Sequence, residues 1–582
     1  MTQAQGVPPH ASPGGPLRIG NASGFYGDRF AAVREMLEGG PLDVLTGDYL
    51  AELTMLILGR SRLKDPGAGY AGTFLRQMED TLGLAVERGT KIVTNAGGLN
   101  PRGLADRLRE LAERLGVRVE IAHVEGDDLL GRAKELGFGD SRYGDPLTAN
   151  AYLGAWGIAE CLRAGADLVV TGRVTDASLV VGPAGAHFGW RRDDWDALAG
   201  ATVAGHVLEC GTQATGGNYA FFREVGDLRH AGFPIAEVHP DGSSVITKHD
   251  GTGGAVTTET VTAQLLYEIG GPRYAGPDVV TRFDTVRLAQ EGPDRVRISG
   301  VVGEPPPATT KVCLNHLGGF RNEMTFVLTG LDIEAKAELA KTQMEAAFGD
   351  ERPRRVEWTL VGAATTDPST QGEATSLLCC AVLDPAEPKV GRAFSGAVVE
   401  LALAGYPGFT MTSPPGKAAP YGVYTPAYVD SSEIEHVAVL PDGTRTVIPP
   451  VPADPVDSPL DARLPEPYDD GVPTVRVPLG RVAGARSGDK GGDANIGVWA
   501  RTDAQWRWLA HFLTVERLQE LLPETRDLVV TRHVLPELRA VNFVAEGLLQ
   551  EGVSASTRFD PQGKALGEWL RSRLVDLPEA IL

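Results

Sequence analysis

Gly165-Ala-Asp-Leu-Val-Val-Thr-Gly-Arg-Val-Thr-Asp-Ala-Ser178 is the stretch that decides the fold class. Its first half is a short apolar, β-branched run of the kind buried in a parallel sheet. Its second half gathers Thr171, Arg173, Thr175, Asp176 and Ser178 around Gly172. Strand gives way abruptly to polar loop. Upstream, Leu147 to Arg163 reads as a helix: Asp145 can cap it, Pro146 suits its first turn, and Tyr152, Trp156, Ala159 and Leu162 recur at helical spacing. Helix, buried strand and loop make one turn of an α/β wind. Ligands of open parallel sheets lie beyond the carboxyl ends of the strands, so Arg173 and Asp176 stand where chemistry is expected.

The same rhythm extends outward from that stretch. Short apolar runs end in Gly20 to Arg29, in Thr46-Gly-Asp48, in Asn95 to Arg102 and in Glu125 to Asp128. Downstream, Ala201 to Glu209 reads as a further strand ending at Cys210 to Asn218, and Pro240-Asp-Gly242 marks a hairpin. Strands alternating with helices predict an α/β domain with a mostly parallel sheet over residues 17–276. If the strands are parallel, these loops share one rim. Taken singly, each is an ordinary connection. Together they bring backbone amides, Asn95, Arg102, Arg173, Thr175, Asp176, Glu209 and Asn218, which is the composition of a pocket.

From residue 277 the pattern alternates apolar and polar residues, as half-exposed antiparallel strands do, and residues 277–447 read as an α+β lobe. A proline-rich, acidic linker follows over 448–473. The segment 474–582 reads as a small α+β domain with two helices on one face of an antiparallel sheet. Within it Ser487-Gly-Asp-Lys-Gly-Gly-Asp-Ala-Asn495 is a charged glycine loop between two strands. Lys490 would offer a point charge to a phosphate or carboxylate, and Asp489 and Asp493 are acid/base or metal-ligand candidates, with Asn495 beside them. The plainer alternative is a hairpin loop whose charges neutralise one another.

Other motifs weigh less. Gly67-Ala-Gly-Tyr-Ala-Gly72 has the dinucleotide spacing, but Asp65-Pro66 precedes it where a strand is needed. Asp250-Gly-Thr-Gly-Gly254 before a helix suits an anion, with Gly253 at its centre, unless it serves only to cap that helix. His206-Val-Leu-Glu209 would have metal-ligand spacing on a helix, but the run reads as strand. The zinc-hydrolase and serine-hydrolase signatures are absent from the sequence.

Composition bounds the rest. A chain of 582 residues supports two to four domains. A net charge of −21 argues against nucleic acid or an anionic membrane as partner, while leaving room for a small phosphorylated ligand. Five scattered cysteines suit reduced thiols in the cytoplasm. Residues 1–16 read as a disordered tail without a secretory signal, and no uncharged stretch reaches membrane-spanning length.

The motifs Gly20-Asn-Ala-Ser-Gly-Phe-Tyr-Gly-Asp28, Thr46-Gly-Asp-Tyr49, Thr94-Asn-Ala-Gly-Gly98, Thr171-Gly-Arg-Val-Thr-Asp176, Glu209-Cys-Gly, Gly216-Gly-Asn218 and Arg486 to Asn495 together resemble the acyclic terpene utilisation family, the AtuA-type proteins. The resemblance implies a large N-terminal α/β region and a C-terminal ferredoxin-fold domain. It also implies a place in the catabolism of acyclic terpenes such as citronellol and geraniol, through acyl-CoA thioesters and a biotin-dependent carboxylase. The chain has no Met-Lys dipeptide, so it is not expected to be a biotin carrier itself.

The expectation that follows is an enzyme acting on a branched or terpenoid acyl-CoA, of lyase or hydratase type, through an enolate-like thioester. Asn95 or Asn218 would hold the oxyanion, Asp176 or Glu209 would move the proton, and Arg173 or Lys490 would bind a carboxylate or CoA phosphate. No resident cofactor is expected beyond the CoA moiety of the substrate. A homo-oligomer is compatible with this. One alternative is a non-catalytic assembly or acyl-CoA-presenting partner that docks on carboxylase subunits. Another is a metal-dependent hydrolase built on Asp176, Glu209 and Asp493.

Overall fold

The computed structural model describes residues 15–139, 141–362, 365–452, 460, 463–468 and 471–582. The tail expected over 1–16 lies, up to residue 14, outside the described residues, as do parts of the linker expected over 448–473. The chain divides into two compact units. One runs to Asn315 and takes in Tyr424–Val553 and Gln562–Leu582; the other comprises His316–Val423 and Ser554–Pro561.

The first unit is built on an eleven-stranded sheet. At its centre are five parallel strands: β1 (Leu17–Asn21), β2 (Val44–Gly47), β3 (Lys91–Thr94), β4 (Ile121–Glu125) and β5 (Leu168–Thr171), in the order β1-β2-β3-β5-β4. Antiparallel strands extend both sides, Pro234–Val238 beside β1 and Val437–Val439 beside β4. Every residue of β5 is buried, which is why its sequence is an unbroken apolar run. The flanking helices show the matching stripe. In Pro101–Leu115 it is Leu104, Leu108, Leu111 and Ala112 that are buried. The Asn100 side chain accepts from the Gly103 amide at its start, and left-handed Gly116 ends it.

Two sequence expectations fail here. Leu147 to Arg163 is not one helix. Thr148–Ala151 is a strand paired antiparallel with Val312–Asn315, and the helix begins only at Trp156. The helical spacing of Tyr152 and Trp156 comes from two buried residues on different elements. Ala201 to Glu209 is not a strand either but the end of helix Trp195–Leu208, in which every residue from Leu198 to Leu208 is buried. A helix apolar on all sides has no polar face to mark its period, so it reads as a buried strand. Gly205 fits it closely into the core, because a β-carbon there would lie 2.7 Å from Ala177 Cα.

The C-terminal part of this unit carries an antiparallel sheet of β6 (Ala483–Lys490), β7 (Asp493–Ala500), β8 (Val530–Leu535) and β9 (Ala540–Ala545), in the order β6-β7-β9-β8. Helices Asp503–Phe512 and Leu566–Ser572 pack with it, the former started by a Thr502–Gln505 capping box. The expected glycine loop over 487–495 is almost all strand. β6 and β7 pair out to Lys490 opposite Asp493, and only Gly491 and Gly492 turn the chain. Gly488 is small for packing and not for turning, since a β-carbon there would sit 2.4 Å from the Tyr267 ring.

In the second unit, strands Arg355–Val361 and Thr375–Asp384 build a sheet with residues Phe320 to Thr329 of a long strand. Helices Ile333–Phe348 and Phe394–Ala404 close its core around Phe326, Met344 and Phe394. Among the described residues, no helix is long and apolar enough to cross a membrane. All five cysteines are free thiols.

Candidate active site

Beyond the carboxyl ends of the parallel strands, polar side chains from several loops meet. Arg173, after β5, is 3% exposed. Its Nη1 donates to Asp176 Oδ1 at 2.8 Å and to the Leu50 carbonyl at 2.9 Å, and its guanidinium carbon lies 4.4 Å from the centre of the Tyr152 ring. Its amide donates to Asp127 Oδ2 at 2.9 Å. Asp127 follows β4 and also accepts from Asn150; burial pushes its carboxyl up to about 7. Asp48, after β2, accepts from Asn95 Nδ2 at 2.6 Å and from the Leu50 amide at 3.0 Å. Burial, reinforced by the charge of Asp176, holds the Asp48 carboxyl well above the usual range, against the pull of Arg173 and Asn95. Asn95 also accepts from the Tyr49 amide at 2.7 Å, so its amide group fixes Asp48 and the turn after β2.

The end of helix Trp195–Leu208 arrives at the same place, tied to β1 by Asn21 Nδ2 donating to the Leu208 carbonyl at 2.6 Å. One turn of helix puts His206 and Glu209 side by side, with Nδ1 and Oε1 3.0 Å apart and side chains 1% and 10% exposed. The approach is close without being aligned as a hydrogen bond. Among the described residues, both ring nitrogens of His206 and Glu209 Oε2 are buried without a hydrogen-bond partner. Burial, then the charges of Asp176 and Glu268, raise the Glu209 carboxyl well above its usual range, while Lys490 and Arg173 oppose them. Burial and then Lys490 lower His206 to about 4. Burial thus works against charge on both members of the pair, upward for the carboxyl and downward for the imidazole. The neighbouring Cys210 thiol is pushed well up by burial and by Glu209, which leaves it a poor nucleophile.

Lys490 enters from the tip of β6. Its Nζ donates to the Glu268 carbonyl at 2.8 Å and stands 5.5 Å from the centre of the Tyr274 ring. The segment that carries Glu268 is gripped by the C-terminal sheet. Asn495 accepts from the Glu268 amide at 2.8 Å and donates to the Leu266 carbonyl at 2.8 Å and to Asn542 at 2.7 Å. Asn542 donates in turn to the Ile269 carbonyl at 3.2 Å. Arg486 stacks on Tyr267 at 4.2 Å. Tyr274, also facing Glu209 and Asp176, has its phenol raised well above the usual value by burial.

Arg173, Asp176, Glu209 and Lys490 are thus brought together, with Asn95 as a support and Thr175 half-buried next to Asp176, its hydroxyl 2.5 Å from Ser178 Oγ. Other candidates serve elsewhere. Asn495 is a clamp, and Asp493 accepts from the Gly547 amide at 2.8 Å. Asp489 is half-buried within β6, opposite Ala494. Asn218 is exposed and its carbonyl accepts from Arg486, while Arg102 is exposed on the first turn of Pro101–Leu115. The Gly253 carbonyl accepts from the Gly232 amide, and the following helix is capped by its own Thr257. Asp48, His206, Glu268 and Tyr274 complete the cluster, and sequence reasoning does not single them out as site residues. The strand-end rule that marks Arg173 would also find Asp48. His206 and Glu209 need their helix to be recognised. Among the described residues, no group of three or more His, Cys, Asp or Glu side chains is arranged to hold a metal ion.

Fold and site together define an α/β protein with a buried acid–base cluster at the carboxyl ends of its parallel strands, completed by a lysine from a small C-terminal domain. Residues 17–440 match the family described as acyclic terpene utilisation family protein AtuA, and residues 477–576 match the AtuA ferredoxin-like domain. The chain belongs to the acyclic terpene utilisation family. No curated protein gives a significant match to it.

Proposed function

We propose that the chain is an acid–base enzyme acting on a branched or terpenoid acyl-CoA, of lyase or hydratase type, through an enolate-like thioester. The observation that supports this most is the buried His206–Glu209 pair set among Asp176, Arg173 and Lys490. Forming or breaking a bond next to a thioester carbonyl requires one group to take a proton, another to give one, and fixed positive charge for the oxyanion. Asp176 serves as the carboxylate that takes the α-proton, and Glu209, whose ionisation burial opposes, as the group that gives one. Arg173 and Lys490 take the oxyanion role that the sequence suggests for Asn95 and Asn218, because Asn95 is committed to Asp48 and Asn218 is exposed. A cytoplasmic setting suits the five free thiols.

The test is to incubate the full chain with branched acyl-CoA thioesters in deuterated water and follow α-carbon labelling and turnover by mass spectrometry. Labelling is expected in the wild type and is lost in Asp176→Asn, which removes the carboxylate assigned to take the α-proton. If no thioester of the panel is labelled or converted, the enzymatic reading is removed.

A further inference from the structure

A cavity of about 50 Å³ is lined by Tyr152, the ring on which Arg173 stacks. Its wall mixes hydrocarbon from Ile434 and Ile448 with polar groups from Trp156, Asp278 and His436. The hydrogen bonds of those three are incomplete. Trp156 Nε1 and His436 Nε2 are buried without a partner among the described residues. Burial, and then the charge of Arg192, lower His436 to about 3, so its ring is uncharged and carries one N–H and one bare nitrogen. Asp278, 6% exposed, accepts from the Ala155 amide at 2.8 Å through Oδ2. Its Oδ1 lies against Gly154, where a β-carbon would sit 2.2 Å away, and nothing among the described residues donates to it. Burial raises this carboxyl to about 6, against the pull of the Ala155 amide and Arg192, which leaves it mostly ionised at neutral pH.

Buried polar groups are hydrogen-bonded as a rule, so three incomplete ones around a single space describe what fills it. The occupant must accept from an N–H and donate to a carboxylate. Its charge is restricted as well. An anion would face Asp278, and a cation would meet the field of Arg192, which acts on both Asp278 and His436. Arg192 is fixed there, donating to the Pro449 carbonyl with its guanidinium carbon 5.3 Å from the centre of the Trp156 ring. A hydroxyl donates and accepts at one atom without charge, and the carbon that bears it suits the isoleucine side chains. The space takes about three to five water-sized groups, the size of a short polyol.

We propose that this cavity is a second binding site, for a compact uncharged polyol. It lies next to the acid–base cluster and does not depend on the acyl-thioester reading.

The probes are 1,2-ethanediol, glycolate and ethanolamine, alike in size and different in charge, followed by saturation-transfer NMR with the full chain at pH about 7.5. The diol is expected to bind on the order of millimolar, and the two charged probes at least about tenfold more weakly. Trp156→Phe keeps a ring beside Arg192 and removes the N–H, which should weaken the diol by about two- to tenfold. Asp278→Asn can still accept from the Ala155 amide but carries no charge, so glycolate should gain and approach the diol. Circular dichroism melts show which variants are folded, and either one suffices if the other is not. No transfer to the diol, which would mean that water alone fills the space, overturns the assignment. So does equal binding of the three probes, or a diol affinity and a charge preference that both substitutions leave unchanged.

Discussion

Two glycine-laced segments, Gly172 to Ser178 and Ser487 to Asn495, look alike in sequence and do different things. The first leaves a buried parallel strand and is true loop, with Arg173 and Asp176 directed at the cluster. The second keeps its backbone in paired strands. There Ser487 accepts from the Gly567 amide and Asn495 clamps residues 266–268, and only Lys490, at the last position of β6, reaches the site. Density of polar residues therefore says less about chemistry than where a strand stops. Four acidic side chains, Asp48, Asp176, Glu209 and Glu268, meet two cations in the cluster, and burial offsets the imbalance by making Asp48 and Glu209 harder to ionise.

The comparison can be broken by substitution, and Arg173→Ala should have the largest effect. It leaves Asp176 and Asp48 without their buried cation, at a cost of about 3–5 kcal/mol in a denaturant titration and complete loss of α-labelling. If stability and labelling both survive, the loop after β5 does not organise the site.

Asp127→Asn should come next, as a change in pH dependence. The folded value of about 7 for Asp127 lies above the ordinary 3.8, so its contribution is fully present below the ordinary value and is lost as pH rises through the folded one. The wild type should lose up to about 4 kcal/mol from this group between those limits. An asparagine side chain at this position could still accept from the Arg173 amide, so the variant's stability should be flatter over that window in urea titrations. An unchanged slope would mean that Asp127 is not held protonated.

Asn495→Ala should cost about 2–3 kcal/mol, because it leaves the Glu268 amide and the Leu266 carbonyl without their partner. Chemical denaturation should show the loss, whereas Lys490→Ala should lower labelling with little change in stability. Equal stability losses in both would erase the distinction between clamp and reactive group. Gly205→Ala is expected to be the mildest, about 1–2 kcal/mol, since the added methyl must push helix Trp195–Leu208 off Ala177. A thermal melt matching wild type would show that the helix has more room than its backbone distance allows.

Much of this is legible in the sequence, for a physical reason. β5 and its loop announce themselves because a strand buried on both faces must be apolar and the loop beyond it is free to be polar. The same logic covers Asp48 at the end of β2. Helix Trp195–Leu208 is illegible because burial on all sides erases its period, and with it goes the one-turn spacing that unites His206 and Glu209. Thr148–Ala151 escapes a local reading because its partner strand lies far along the chain. Nothing local marks Glu268, whose position with φ +58° depends on the clamp from Asn495.

The central claim is that burial and the meeting of distant loops keep Glu209 protonated beside a neutral His206. Difference infrared spectroscopy of the wild type against Glu209→Gln, from about pH 5 to about pH 8, measures this directly. The expected result is a protonated-carboxyl band that persists at neutral pH, disappears in Glu209→Gln and titrates at higher pH in Lys490→Ala, where an opposing cation is gone. A Glu209 carboxyl that ionises at the ordinary glutamate value, unaffected by Lys490→Ala, would contradict the account.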